Sequence, residues 1–424
     1  MESSNNIRFA GEVSVDKVRI INSKGFFQDV SPQVINIQIF EDMFSPFMTG
    51  SLIIKESLDL VNLFPFIGEE YVELEIATPT LKRGNLKSRF YIYKMTDRDL
   101  VGDRSVVYQL HFISTEAVVD LNKKISKVFS GKVSELVNEF VVGKTNGLES
   151  LKPVYVEASS NNLKYISNFW SPIKNIIYLS QNAVNQNKTP SYVFFENRDG
   201  FYFTSLETFY TAEIYQEFTY DRYTRDAQGN GEDSRNITED YKRIVDISIP
   251  SGYDYFDRIQ SGMLSSKIIS YDLTRKTYSS HNYNMFERYS EQKHLNPYAI
   301  NSNRLIFRSN SVIINYPRYY GNFSGYGDVT NYNIIQERTS LIKLAQANKI
   351  QVTVLGRMDY TVGQKVSINL NKMQPISKED TDIVDKMFSG YYLISAINHY
   401  ITRENHECRM ELIKDSSQMD MNRN

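Results

Sequence analysis

The sequence predicts an α+β chain, rich in β-structure, built on two similar small antiparallel β-barrels with α+β segments inserted. Three observations carry this. From Lys349 to Lys414 apolar and polar residues alternate: Ile350, Val352 and Val354, then Val366, Ile368 and Leu370. The hairpin Tyr391 to Ile401 and His406 to Lys414 follows. Strict alternation means one buried face and one wet face. The pattern recurs near the N-terminus. There Gly68-Glu-Glu-Tyr-Val-Glu-Leu-Glu-Ile matches Gly363-Gln-Lys-Val-Ser-Ile-Asn-Leu in kind. Tyr108-Gln-Leu-His-Phe-Ile stands against Cys408-Arg-Met-Glu-Leu-Ile position for position. Composition agrees: 30 Tyr and 24 Phe against 20 Gly and 11 Pro is a β-rich globular balance.

Residues 1–116 read as the first barrel. Ile7 to Ile21, Val34 to Phe40 and Leu52 to Ile54 carry strand patterns. Pro46 and Gly50 punctuate a turn-rich link. Ser57 reads as the N-cap of a short helix with Leu60, Val61 and Phe64 on one face. Gly68 to Ile76, Phe90 to Thr96 and Val107 to Ser114 resume the sheet. Gly50, Gly68, Gly356 and Gly363 are expected at structural turns, where glycine supplies backbone freedom or close approach.

Residues 117–243 read as an inserted α+β domain. Val133, Leu136, Val137 and Phe140 form a helical stripe that ends at Gly143. Ser171-Pro172 opens a second helix, Ser as N-cap and Pro at the first position. Its expected stripe is Ile173, Ile176, Ile177, Ser180 and Val184. Tyr192 to Glu196 and Phe201 to Ser205 flank the turn Asn197-Arg-Asp-Gly200, a hairpin signal. Arg222 to Glu239 is polar and charged and is expected to be a mobile loop. Residues 244–275 and 349–414 are expected to build the second barrel. Residues 276–348 are read as an excursion from it, rich in Tyr and Asn, ending in the helix Asn333 to Asn348. Residues 415–424 are expected to be a flexible tail.

The net charge of −2 gives no basic field for nucleic acid or anionic lipid. The single cysteine, Cys408, excludes an intramolecular disulfide framework and fits a reducing compartment. Met1 to Asn6 lacks an apolar segment, so no secretory signal is expected. No apolar run approaches the roughly 20 residues of a membrane helix. The sequence shows no recognisable catalytic set and no cofactor loop, and no metal site is expected. His399 and His406 straddle a hairpin turn near Glu404 and Glu407, a donor set that suits zinc, yet they are read as a polar hairpin tip. His111 is read as a surface or half-buried strand residue. Asp97, Asp99 and Asp103, and Glu379, Asp380, Asp382 and Asp385, are read as solvated loop acids, because the spacing lacks a calcium-loop glycine and glutamate. Lys123, Lys124, Lys127 and Lys132 are read as a wet face.

Two stretches carry a family resemblance. One is Gly50-Ser-Leu-Ile-Ile through Leu60 and Phe64-Pro-Phe-Ile-Gly68-Glu-Glu-Tyr-Val-Glu-Leu. The other is Leu341 to Leu370 with the hairpin Tyr391 to Lys414. With Tyr192 to Ser205 between them, they resemble the baseplate hub protein of T-even-like contractile-tailed bacteriophages and the related hub portion of type VI secretion spike proteins. Residues 278–331 match nothing in that pattern. The resemblance implies two tube-type barrels per chain and a homotrimer. That trimer would adapt a trimeric central spike to a hexameric tail tube or tube initiator, beside baseplate wedge proteins. It implies a structural protein of the virion tail, assembled in the host cytoplasm, with no cofactor, no catalysis, no nucleic-acid sequence recognition and no membrane insertion. Leu52, Ile54, Lys365, Ser367, Asn369 and the loop 371–389 are the expected contact residues. Two other functions compete: a receptor- or glycan-binding tail protein that uses the Tyr-rich 278–331 segment, and a cell-wall hydrolase at the tail tip.

Overall fold

The structure is a computed structural model. It describes residues 7–58, 60–64, 66–81, 84–220, 237–251, 253–273, 276–302, 311–316, 332–372 and 384–421. The first part of the chain runs β1 (Ser14–Ile21), β2 (Phe27–Asp29), β3 (Val34–Asp42), β4 (Thr49–Glu56), α1 (Leu60–Leu63), β5 (Tyr71–Ala77), β6 (Leu86–Val101) and β7 (Ser105–Ser114). Next come α2 (Thr115–Asn122), β8 (Ile125–Lys132), α3 (Val133–Val142), β9 (Val154–Val156), β10 (Asn162–Trp170), α4 (Pro172–Asn182), β11 (Tyr192–Asn197), β12 (Gly200–Ser205) and α5 (Leu206–Tyr210). Then follow β13 (Ile214–Tyr220), α6 (Ile237–Asp240), β14 (Ile244–Ser251), α7 (Tyr255–Gln260), β15 (Ser265–Asp272), β16 (Thr277–Asn284), α8 (Met285–Arg288), β17 (Tyr298–Ala299) and β18 (Val312–Asn315). The chain closes with α9 (Tyr332–Ala345), β19 (Asn348–Leu355), β20 (Lys365–Leu370), β21 (Gly390–Thr402), β22 (His406–Lys414) and β23 (Ser416–Ser417).

Among the described residues, thirteen strands join in one sheet. It has two halves. The first has the order β3-β4-β7-β6-β5-β1, with β2 outside β1. The second has the order β14-β19-β22-β21-β20-β13. Read in chain order, the six strands of each half occupy the same places. Register agrees as well. Leu110 lies opposite Leu52, and Met410 opposite Val352. The pairing shifts between Val34 and Asn36 in β3 and between Ile244 and Asp246 in β14. It shifts again between Ile92 and Lys94 in β6 and between Ile394 and Ala396 in β21. Bulges are placed features rather than noise, so matched bulges mark matched strands. Each half buries its own core. Leu52, Leu110 and Phe112 belong to one, Val352, Met410 and Leu412 to the other. No hydrogen-bonded pair among the described residues closes either half into a barrel.

The halves differ at one edge, where β1 runs antiparallel to β5 but β13 runs parallel to β20. Ser265–Asp272, expected in the second barrel, instead pairs with β16 and β18 in a separate small sheet. Its place is taken by Ile214–Tyr220, read from sequence as part of the insert. The first residues of the expected flexible tail are instead part of the fold. Asp415, Ser416 and Ser417 are buried, and the two serines pair with β17.

Local chemistry explains most elements. The Ser171 side chain accepts from the Lys174 N–H and Pro172 opens α4, as the sequence indicates. The buried stripe of α4 runs through Ile173, Ile176, Leu179 and Ser180, and Ala183 just past its end is buried too, while Ile177 is 44 % exposed. At α1 the cap is Glu56, which accepts from the Leu58 and Leu60 N–H groups; Ser57 turns to Ser105. The predicted loop Arg222 to Glu239 lies outside the described residues except for Ile237–Glu239.

Candidate functional site

The halves meet on β21. This long strand pairs with β20 through Gly390–Leu393 and with β3 through Ala396–Thr402. It therefore belongs to both cores: Ile397 packs in one and Ile401 in the other. His399 sits between them, opposite Cys408 on β22 and Ile39 on β3. His406 and Cys408 share its face. His399, His406 and Cys408 are 1 %, 0 % and 0 % exposed. The expected wet hairpin tip is thus corrected. The sequence held the cue: Ile397-x-His399-x-Ile401 and His406-x-Cys408-x-Met410 keep these side chains in the inward register.

Their polar atoms converge. His399 Nδ1 lies 3.0 Å from His406 Nε2. Cys408 Sγ lies 3.4 Å from the first and 3.5 Å from the second. Burial pulls the His399 imidazole far below its ordinary range, and the neighbouring His406 adds to this. Burial pulls His406 down to about 3 and pushes the Cys408 thiol well up. All three are neutral at pH 7. His406 is clamped from behind. Its carbonyl accepts from the Gly356 N–H, and its N–H donates to the Gly11 carbonyl. A Cβ on Gly356 would stand 2.2 Å from the His406 ring.

Beside this cluster lies a polar knot that ties the insert to both halves. The tip of the β11–β12 hairpin enters the seam. The buried Glu41 of β3 accepts from Thr361 Oγ1 at 2.5 Å, from the Val362 N–H at 3.1 Å and from the Arg198 N–H at 3.2 Å. Burial raises its carboxyl above the usual range. The Arg198 guanidinium donates to the Gly84 and Asp359 carbonyls, both at 3.0 Å. Asp359 in turn holds Arg357 and the Tyr215 hydroxyl. On the outer side of the seam, a cleft of about 510 Å³ is lined by residues of both halves, among them Phe40, Asp246, Gln351, Asn398 and Arg409. Glu41 and Arg198 carried no sequence signal, since each stands beside another charge, Asp42 or Asp199, and reads as part of a wet strand end or turn.

The other expected residues are distributed as follows. Gly68 and Gly363 take φ of +88° and +93°, a region that favours glycine. Each lies shortly before a matched strand: the Ile92 N–H bonds the Glu70 carbonyl and the Ile394 N–H bonds the Gln364 carbonyl. Gly50 falls inside β4 rather than at a turn, where a Cβ would stand 2.2 Å from the Phe112 ring. Leu52 and Ile54 face the chain's own core and are fully buried, so their side chains are not a contact surface. Lys365 tethers its own chain. Its Nζ donates to the Tyr210 carbonyl at 2.8 Å and lies 5.0 Å from the Tyr391 ring centroid. Ser367 and Asn369 continue the same strand, which is paired on both sides. His111 bonds Thr96 at 2.9 Å. Lys123, read as part of a wet face, binds the Lys144 and Gly147 carbonyls and Glu149. Glu379, Asp380 and Asp382 lie outside the described residues.

Two solved structures share this architecture over nearly their whole length. A tail protein from Neisseria meningitidis MC58 superposes with a TM-score of 0.55 at 11 % identity, covering 94 % of this chain and 96 % of that one. The 43 kDa tail protein of prophage MuSo2 from Shewanella oneidensis gives 0.57 at 9 % identity, covering 95 % and 99 %. The chain has the fold of phage tail proteins. No family model and no curated protein matches its sequence. At these identities the likeness is one of fold. No helix among the described residues is long and apolar enough to cross a membrane.

Proposed function

We propose that this chain is the structural hub of a contractile-tail baseplate. Three copies form a ring whose six sheet halves adapt a trimeric central spike to a hexameric tube, beside wedge proteins of the baseplate. The reading places the chain in the virion tail and assigns it no catalytic step. The two halves with their own cores stand for the two tube-type domains, 1–116 and the set centred on 349–414. The intervening 117–243 serves as an insert.

The observation that carries the proposal is an unused pairing. Within the chain, the end of β21 pairs with β3. By strand order, the counterparts of these two are β6 and β14. Among the described residues, β6 beyond Tyr91 pairs only with β7, and β14 pairs only with β19. Each thus presents a free edge with exposed apolar residues, Leu100 and Val101 on one and Val245 on the other. Free edges invite pairing. Joining β6 of one chain to β14 of the next would repeat the internal seam between subunits and close a ring of three chains around six similar units.

The seam gives a register. Tyr400 lies opposite Glu407 on β22 and Gln38 on β3. Asp99 lies opposite Val107 on β7, the same place in its half. Gln38 stands beside Ser51 on β4, and Ser248 beside Gln351 on β19. The double variant Asp99→Cys and Ser248→Cys should therefore form disulfides between chains under oxidation, and native mass should give three times the 49.2 kDa chain. A chain that stays monomeric at high concentration, with and without spike protein, and forms no crosslink would sink the hub reading.

A further inference from the structure

We infer that His399, His406 and Cys408 bind one divalent metal ion of the zinc class, which staples the β21–β22 hairpin where it meets the first half at the seam. The inference stands apart from the hub reading, because it concerns a single folded chain. The three donor atoms lie within 4.8 Å of one another. Zinc takes nitrogen at about 2.0–2.1 Å and sulfur at about 2.3 Å, so a tetrahedral site has N–N edges of about 3.3 Å and N–S edges of about 3.6 Å. The observed edges are 3.0, 3.4 and 3.5 Å. A hydrogen bond between the two imidazoles would explain the first edge alone. It would not bring the sulfur onto both nitrogens. The Arg357 carbonyl oxygen lies 3.9 Å from Sγ, a further oxygen beside the cluster.

The twin half supplies an internal control. On β7 the places of His406 and Cys408 are held by Val106 and Tyr108, and the Tyr108 ring packs against Phe66 at 6.1 Å. The same frame is thus stable with aliphatic and aromatic residues there, so the sheet does not require the two histidines and the thiol. The rings are also fixed in place, His406 by the backbones of Gly11 and Gly356. Binding would be a simple exchange. The neutral imidazoles each give a lone pair, the Cys408 S–H bond breaks as the S–metal bond forms, and one proton per ion passes to solvent. No electron transfer is involved.

Cobalt(II) added to the purified full-length chain tests this. Expected are one cobalt per chain, intense visible bands of a tetrahedral ion, a sulfur-to-cobalt charge-transfer band and displacement by zinc. Cys408 is the sole cysteine, so that band reports this site even if a variant folds poorly. Cys408→Ser should abolish the band. His406→Gln should weaken affinity by more than the roughly 10- to 100-fold typical of changes to groups behind a ligand. Wild-type protein that takes up no zinc or cobalt at micromolar concentration overturns the inference. So does uptake without a charge-transfer band, or uptake unchanged in both variants.

Discussion

The two halves match in strand order and bulges, and they differ at the corner where each leaves its last strand. In the first half β7 ends at Ser114 and the chain passes through Glu116 into the insert. In the second half β22 ends at Lys414, and Asp415 and Ser416 turn under the excursion. The equivalence follows from register, since β7 pairs with β4 as β22 pairs with β19. Each corner holds a lysine, half-buried Lys152 in the first and buried Lys414 in the second, and they are satisfied differently. Lys152 sits between two carboxylates, Glu116 at 2.7 Å and Glu196 at 2.6 Å. Lys414 meets carbonyl oxygens, Met387 at 2.6 Å and Ser389 at 3.4 Å, beneath the Tyr392 ring. One frame can therefore host an ion triad or a lone ammonium, and the attached segment decides which.

The largest expected effect comes from breaking the triad. Burial raises the Glu116 carboxyl, but the Lys152 charge and hydrogen bonds outweigh it and hold the group below the usual range. Burial lowers Lys152, and the two carboxylates more than reverse this. Glu196 also accepts from the Met48 N–H, which links the insert to the β3–β4 connection. Lys152→Met leaves two buried carboxylates without their cation. Loss of one partner from such a set costs about 3–5 kcal/mol. Urea unfolding should show a loss of that size. A loss below about 1 kcal/mol would mean that the insert is held to the first half by packing alone.

The second corner should behave differently with pH. Burial lowers Lys414 to about 8, with Asp385 offsetting part of the effect. An unfolded lysine titrates near about 10.4. Between these values the unfolded chain holds more protons than the folded one, so this group makes stability rise as pH increases from about 8 to about 10.4. The gain is at most about 3 kcal/mol. Comparing Lys414→Met with wild type over that range isolates it. Equal pH slopes for the two proteins would show that Lys414 is solvated and that the corners do not differ in this way.

Much of this contrast could be read in advance, and some could not. The strands of both halves were legible because alternation reports a half-buried sheet directly. The repeat was legible because Leu110 and Phe112 occupy the same inward places as Met410 and Leu412. The role of β13 was hidden, since Ile214–Tyr220 joins the second half by a parallel pairing set by tertiary packing. His399 was misplaced for another reason. Nearby Glu404 and Glu407 suggested a wet tip, and their weight exceeded that of the alternation. Buried charges such as Glu41 and Arg198 leave no period at all, so only the fold reveals them.

The smallest expected effect lies one residue beyond Lys414 and runs opposite to it in pH. Asp415 accepts from His294 Nδ1 at 2.7 Å and from the Leu295 N–H at 3.1 Å. His294 Nε2 lies 2.9 Å from the Tyr289 carbonyl, and its ring stacks on Tyr289 at 3.7 Å. Burial pulls the imidazole down, but the Asp415 hydrogen bond and charge win, so its titration is raised above 6.5. Both ring nitrogens face acceptors, which suits the protonated form. A raised value in the folded state means that the contribution is complete below about 6.5 and is lost as pH rises through the folded value. A hydrogen bond to a charged group contributes about 1.5–3 kcal/mol, and partial burial places this one at the lower end. His294→Gln should therefore reduce stability at pH 6 by about 1–2 kcal/mol and change it little at pH 9. If the loss is the same at both pH values, the imidazole is neutral throughout and the second corner is held by its hydrogen bonds without an imidazolium charge.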